Sequence, residues 1–506
     1  MSKVINYIDF FFETCKKKNR KIAVVDKKGK ISFKELNRKS FIFAAEIKKF
    51  NYSNRVIPVI QEKNILNVIS NIGILISGNA YMNIDNSLPE KKIFSILKNI
   101  NSRIIITDKK NEVKLKKLNK KIKILNIEKL NFNRNINKDI LLENLSNIID
   151  TDPFCVINTS GSTGIPKSTV LNHRNFIDFI YRSEEIFKFS GNEIMGSLSP
   201  SAFDIFSFEI CLMMFAGSKL VLIPDEFKPF PVDIIKFIKK NKVSFIFWVP
   251  TIMVMIANLD LLTKFKLDKI KLIWFAGEVF PTDKFNYWKK KLSNNVLFVN
   301  LYGPIEITLD CSYFIINRKI KNNEPIPIGK KYKNTDLIIL KNNKRVKQNE
   351  IGEIYVRGSS VALGYYGNLE ETNRRFVQNP LNKFYREIVY KTGDLAKIND
   401  KNELVFIGRK DNQIKHLGYR LELDEIEHVL INKLKLVDNG CALYDFKKKE
   451  IYFFYEGNKR IDSIIINKIK KNLAKQAIPN KWVKLNKMPL NLNGKIDRLK
   501  LTKSLK

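Results

Sequence analysis

An alternation along most of the chain restricts the fold more than any other feature. Short runs rich in β-branched and aromatic residues occur at Lys21–Val25, Val56–Ile60, Ser102–Thr107, Leu220–Ile223, Val243–Val249 and Leu272–Ala276. Longer amphipathic stretches lie between them, such as Val232–Asn241 and Asp283–Lys291. Strand-like and helix-like segments in turn build βαβ units, so an α/β fold with mostly parallel sheets is expected. The most apolar run, Ile65–Ser77, is interrupted by Asn67 and Asn71 and reads as a core helix, not a membrane span. Lys109–Asn147, dense in Lys and Asn, reads as a surface excursion. The texture changes near Gly393: Tyr390–Arg420 is rich in Gly, Asp, Lys and Arg. A compact tail follows, with helix-like Glu422–Asn432, strand-like Glu450–Tyr455 and helix-like Ile461–Leu473. A boundary at Asp411 divides the chain into a large N-terminal domain, 1–410, and a small α+β C-terminal domain, 411–506.

Composition removes several classes. Of 506 residues, 44% are hydrophobic and 11% aromatic, which excludes disorder, collagen and a coiled coil. Lysine plus arginine number 90 against 51 acidic residues, a net charge of +39. That charge alone admits nucleic-acid binding. The lysines, however, are spread without a long basic tail and accompany abundant Ile, Asn and Phe, the pattern of an A/T-rich coding bias. The charge therefore reads as background that attracts anions. A nucleotide substrate or an acidic protein partner fits it as well as DNA, and no specific nucleic acid is expected. Cys15, Cys155, Cys211, Cys311 and Cys441 are scattered and form no CxxC pair, while His173, His416 and His428 are too dispersed for a metal centre. A cytoplasmic location is expected, since Ile8–Phe12, broken by Asp9, is too short for a signal sequence.

One loop carries chemistry. Asn158-Thr-Ser-Gly-Ser-Thr-Gly-Ile-Pro-Lys-Ser168 follows the strand-like run Phe154–Ile157. Gly161 and Gly164 let the backbone approach an anion, Thr159, Ser160, Ser162 and Thr163 add hydroxyls, and Lys167 adds a positive charge. The string nearly matches GxxxxGK[ST], but Pro166 stands where the second glycine belongs. Proline deletes an N–H that such a loop donates to phosphate, so a P-loop NTPase is rejected.

Thr-Ser-Gly-Ser-Thr-Gly-x-Pro-Lys resembles the signature of the adenylate-forming superfamily, which includes acyl-CoA synthetases, luciferases and amino-acid adenylation domains. Asn300-Leu-Tyr-Gly-Pro-Ile-Glu306, Tyr390-Lys-Thr-Gly-Asp394, Gly408-Arg-Lys-Asp411 and Asn493-Gly-Lys-Ile-Asp-Arg498 are similar to its further motifs, in the expected order. Ile31–Leu36, Gly78–Pro89 and Gly352–Tyr365 resemble weaker ones, and the resemblance spans nearly the whole chain. It implies a C-terminal lid domain that turns about a hinge at Asp411. It also implies a reaction that joins a carboxylate to the α-phosphate of ATP, releases pyrophosphate, and then transfers the acyl group to a thiol.

The same resemblance assigns roles. Thr159, Ser160, Gly161, Ser162, Thr163, Gly164 and Lys167 would cradle the β- and γ-phosphates, and Glu306 would hold Mg²⁺. Asn300, Leu301, Tyr302, Gly303, Pro304 and Ile305 would line the nucleotide, Tyr302 offering a ring face to adenine and Asn300 an amide to its edge. Asp394 would accept from the ribose hydroxyls with Arg409 beside it, and Lys495 would bridge carboxylate and phosphate.

Ser201-Ala-Phe-Asp204 resembles the step where amino-acid adenylation domains place an aspartate against the substrate ammonium. Fatty acids have no ammonium, and a buried unpaired aspartate is costly. Phe275–Val279 and Gly408–Ile426 look closest to stand-alone D-alanine–carrier protein ligases. No carrier domain follows Lys506, so the phosphopantetheine thiol is expected from an acidic carrier protein on another chain. The amino-acid pocket would be lined by Asp204, Ile205, Phe208, Phe247, Trp274, Ala276, Leu301, Leu309 and Asp310. Three large aromatics favour a small side chain; Asp310 hints at serine or at a cation, with alanine and glycine equally open. Ile305, Ser168, Asn83 and Asp424 depart from the usual Thr, Gly, Pro and Gly. Losing a hydrogen bond to a charged group at Ile305 costs about 1.5–3 kcal/mol, roughly one to two orders of magnitude in rate. Two alternatives stand beside the amino-acid ligase: an acyl- or aryl-CoA ligase, and a degenerate, non-catalytic adenylate-binding homologue.

Overall fold

The computed structural model describes residues 5–118, 122–159, 166–456, 463–490 and 496–505. The chain divides into two units, one of Met1–Asp85, Ser102–Asn158 and Ser168–Lys410, the other of Asn86–Asn101, Thr159–Lys167 and Asp411–Lys506. The architecture is mixed α/β, and the larger unit is built on three sheets. The first has nine strands, with six parallel strands at its centre in the order Leu297–Tyr302, Leu272–Phe275, Phe245–Trp248, Ile194–Ser197, Lys219–Leu222 and Ile22–Val25. Phe245–Trp248 is buried throughout, as expected of a parallel strand covered on both faces. The second sheet orders Gly364–Tyr365, Lys167–Asn172, Pro153–Thr159, Ala80–Asn83, Val56–Ile60, Ile104–Thr107 and Lys123–Asn126. The third is antiparallel and contains Gly352–Gly358, Ile388–Ile398 and Leu404–Arg409.

The Ile65–Ile76 helix is buried along nearly its whole length, and the Asn64 side chain caps it by accepting from the N–H groups of Leu66 and Asn67. It packs against Phe33–Lys48 at Gly73, where a Cβ would stand 2.7 Å from the Phe43 ring and 2.9 Å from the Ser40 carbonyl oxygen. The stretch Lys109–Asn147 is more ordered than a surface excursion. It contains the Lys109–Leu118 helix, the Lys123–Asn126 strand paired in parallel with Ile104–Thr107, and the Asp139–Ser146 helix. Most of its described lysines face solvent, while Leu115, Ile127, Leu141 and Leu145 are buried, together with Asn111 and Asn126. High surface charge hid the periodicity there.

In the smaller unit, Gln413–His416 and Tyr419–Glu422 form a hairpin whose turn residues Leu417 and Gly418 both have positive φ, the conformation that suits strand twist. Asn439–Asp445, Glu450–Glu456 and Lys481–Lys484 form a three-stranded sheet. Ile426, Val429, Leu430, Phe453 and Ile469 pack into its core. Among the described residues no helix is long and apolar enough to cross a membrane, and all five cysteines are buried and outside any disulfide.

A buried histidine makes the larger unit acid-sensitive. His173 Nδ1 accepts the Tyr7 N–H at 3.0 Å, and burial lowers its pKa from 6.5 to about 3. The unfolded chain therefore binds a proton that the folded chain refuses in this window, so stability is present above pH 6.5 and is lost as pH falls toward 3. The slope approaches about 1.4 kcal/mol per pH unit, or roughly 2–3 kcal/mol between pH 6.5 and 4.5. Urea unfolding at several pH values reads it, and His173→Gln should flatten the slope by that amount. Equal slopes in both proteins would remove His173 as its source.

Candidate active site

Sheet register assembles the first cluster. Asp394 on Ile388–Ile398 lies directly opposite Arg409 on Leu404–Arg409. The Arg409 guanidinium donates to Asp394 Oδ1 and, at 3.2 Å, to the Thr392 carbonyl. Tyr302, at the end of Leu297–Tyr302, donates its phenol to Asp394 Oδ2 at 2.7 Å. Burial and the neighbouring Asp394 charge hold the Tyr302 pKa well above the phenol range, so it remains a donor. The Thr392 hydroxyl accepts the Asp394 N–H at 3.0 Å. The carboxylate is thus held in one orientation before any ligand arrives. Asn300, also buried, spends its amide N–H on the Pro327 carbonyl at 2.8 Å.

Glu306 lies in the tight turn Ile305–Ile307 and is fully buried. Its Oε1 accepts from the Tyr365 phenol at 2.8 Å. Among the described residues no three His, Cys, Asp or Glu side chains cluster as a protein-only metal cage. Magnesium does not require one: it commonly binds one or two carboxylates, with substrate phosphates and water completing its shell. A single buried carboxylate such as Glu306 fits that donor set.

The pocket residues meet on one face of the nine-stranded sheet. Phe247, Trp274 and Val299 are in register on three adjacent parallel strands, and Leu301 lies two residues farther along the same face. Across from them runs the Asp204–Ala216 helix, with Asp204 and Phe208 one turn apart. Phe208 stacks on Trp274 at 5.2 Å, and Phe247 meets Trp274 edge-on at 5.5 Å. These rings are part of the core, since Phe208, Phe247 and Trp274 are all buried, as are Ile205, Ala276 and Leu309. Asp204 Oδ1 accepts the Ile205 N–H at 2.9 Å, at the helix end that favours negative charge.

Asp310 is buried behind a strained segment. Thr308 and Leu309 have φ of 59° and 63°, a region that costs side-chain-bearing residues about 1–3 kcal/mol each. The segment presses on Gly303, where a Cβ would stand 2.2 Å from the Leu309 carbonyl oxygen and 2.5 Å from Asp310 Cα. Another buried charge supports the pocket helix: Lys63 donates to the carbonyls of Ser197 and Ser199 at 3.1 and 3.0 Å. Burial pushes the Glu209 carboxyl, on that helix, above the ordinary range, with Ser197 and Lys63 opposing the shift.

In the smaller unit, Lys167 Nζ is 3.8 Å from Glu422 Oε1, both side chains buried. Thr159 and Asp411 belong to the same unit. Ser160, Gly161, Ser162, Thr163, Gly164 and Lys495 lie outside the described residues. The Ser168 hydroxyl, on the residue that departs from the usual glycine, donates to Asn158 Oδ1 at 2.8 Å and ties the two strands that flank the loop. Tyr365 was missed as the partner of Glu306; its only signal was its place at the end of Gly352–Tyr365. Lys63 and Glu209 had no sequence signal.

A family model described as AMP-binding enzyme matches residues 11–366. Zwittermicin A synthase ZmaJ of Bacillus cereus is 29% identical over 488 residues, covering 94% of this chain and 91% of ZmaJ. Gramicidin S synthase 1 of Brevibacillus brevis is 28% identical and covers 97% of this chain, which spans only 44% of that relative. Solved structures share the fold. The Vibrio cholerae adenylation domain AlmE, in complex with glycyl-adenosine-5'-phosphate, superposes with a TM-score of 0.85 at 17% identity, covering 100% of this chain and 99% of AlmE. PA1221, a nonribosomal peptide synthetase protein with adenylation and PCP domains, gives 0.84 at 19% identity, covering 99% and 84%. The matched span takes in the anion loop, the pocket helix and Glu306, and it exceeds half of the sequence: the chain belongs to the AMP-binding enzyme family of adenylate-forming ligases.

Proposed function

We propose that this ligase activates an amino acid as its aminoacyl-adenylate and passes the aminoacyl group to the phosphopantetheine thiol of a carrier protein on a separate chain. Asp204 carries the reading. It sets a carboxylate at the start of the Asp204–Ala216 helix, one turn from Phe208, where a substrate ammonium pairs with it and a fatty acid does not. Likeness to zwittermicin A synthase ZmaJ and gramicidin S synthase 1 supports the amino-acid branch, and the adenylation–PCP architecture of PA1221 supports a carrier partner. The motif likeness to D-alanine–carrier protein ligases favours a small substrate and a stand-alone enzyme working in the cytoplasm.

In this reading a substrate carboxylate oxygen attacks the α-phosphorus of ATP, the α–β anhydride bond breaks, and pyrophosphate leaves. A thiolate then attacks the acyl carbon, AMP departs, and the thiol proton goes to solvent. Asp394, oriented by Arg409 and Tyr302, accepts from the ribose hydroxyls. Thr159–Gly164 and Lys167 hold the outer phosphates. Glu306 would bind Mg²⁺, which when present neutralises phosphate charge. Lys495 supplies the positive charge between carboxylate and α-phosphate, and residues 411–506 turn about Asp411 between the two half-reactions.

A pyrophosphate-exchange screen over the amino acids tests this. At least one should drive label into ATP, and Asp204→Asn should raise its KM by about 10–100-fold. Acylation of free CoA, with Asp204→Asn harmless, would favour the CoA-ligase alternative. Ile305 favours one other reading: AMP binding without exchange by any amino acid would mark a non-catalytic homologue.

A further inference from the structure

A buried lysine joins the second sheet to the segment that carries Asp204. Lys63 lies in the short connection between the Val56–Ile60 strand and the Ile65–Ile76 helix, within the larger unit. Its side chain is 1% exposed. The connection is fixed on both sides of it: the Glu62 N–H donates to Asp108 Oδ2 at 2.8 Å, and Asn64 caps the helix. The Lys63 ammonium donates to the Ser197 and Ser199 carbonyls at 3.1 and 3.0 Å, and Asp225 Oδ1 is 3.6 Å away. Burial lowers its pKa to about 8, with Asp225 and Glu209 opposing that shift and Lys228 adding to it, so the group is an ammonium at neutral pH. A buried charge is costly unless hydrogen-bonded, which holds it to these carbonyls. Ser197 ends the Ile194–Ser197 strand, and Asp204 opens the pocket helix. The chain between them has little slack. Pro200 fixes its own φ, and the Phe203 N–H donates to the Pro200 carbonyl at 3.1 Å, closing a turn that runs into Asp204. The segment leaves the carboxyl end of a parallel strand, the side on which such sheets bind ligands.

We infer that Lys63 is a positioning residue for the amino acid: by gripping the Ser197 and Ser199 carbonyls it fixes the turn that sets the Asp204 carboxylate against the substrate ammonium. A lysine suits the task, because one slim stem brings several donors to a single point. An apolar side chain of similar length leaves both carbonyls without that partner and the turn free to shift, and a displacement of about 1 Å in a positioning group is enough to cost function. The inference rests on the amino-acid reading above and deepens it with a residue outside the motifs, one that acts only through the chain it holds.

Lys63→Met tests it on the full chain, read by pyrophosphate exchange with whichever amino acid drives it. KM for that amino acid should rise about tenfold, while KM for ATP stays within about twofold. In the Asp204→Asn background the same change should add less than about twofold, because the carboxylate that Lys63 positions is already gone. Lys63→Gln, shorter but still an N–H donor, should raise the amino-acid KM about fivefold with the same lack of additivity, and it carries the test should the methionine variant not fold. An unchanged amino-acid KM, equal rises in both KM values, or full additivity with Asp204→Asn overturns the inference and leaves amino-acid activation standing. Failure of both variants to fold does the same, since it would make Lys63 a structural residue. If no amino acid drives exchange, or if Asp204→Asn leaves KM unchanged, the amino-acid reading falls and takes this inference with it.

Discussion

Glu306→Gln is expected to lower amino-acid-dependent pyrophosphate exchange by about 10²–10³-fold. The change is nearly isosteric and keeps an oxygen for the Tyr365 phenol, which donates to Oε1 at 2.8 Å in the unmodified protein. The fold should therefore survive, with a thermal midpoint close to that of the parent. What disappears is the negative charge that a hard cation requires, on a side chain that is fully buried. The loss should be steepest at low magnesium and only partly recovered at high magnesium. Exchange within threefold of the parent at all magnesium concentrations would show that Glu306 is a structural carboxylate.

Lys495→Ala should have the larger effect, about 10³-fold or more on exchange, because no other group is assigned to the charge that moves between two anions in the reaction. The assignment comes from Asn493-Gly-Lys-Ile-Asp-Arg498. The described residues around that motif are firmly held within the smaller unit. Leu490 bridges Ile496, and the Asp497 N–H donates to the Pro489 carbonyl at 2.7 Å. Arg498 donates to the Ala442 carbonyl at 2.9 Å and to Glu427 at 2.6 Å. Alanine at 495 should thus leave unfolding behaviour unchanged while exchange collapses. Retention of exchange would withdraw the role from Lys495 and send the search to Lys167.

Much of this protein was legible in its order of residues. βαβ alternation forecast parallel sheets because a strand covered on both faces must be apolar nearly throughout, as Val56–Ile60 is. The polar interruptions at Asn67 and Asn71 did not prevent burial of the Ile65–Ile76 helix. Lys109–Asn147 was misread because edge elements carry their charge outward and show only a thin apolar stripe.

Chemistry carried by neighbours in the chain could be recognised from local pattern: the glycines, hydroxyls and lysine of 158–168 must lie close in sequence to surround one anion. Partnerships across the fold could not. Tyr302 and Asp394 are 92 positions apart, and Glu306 and Tyr365 are 59 apart. Strand register and helix packing join them, and neither leaves a trace in local composition.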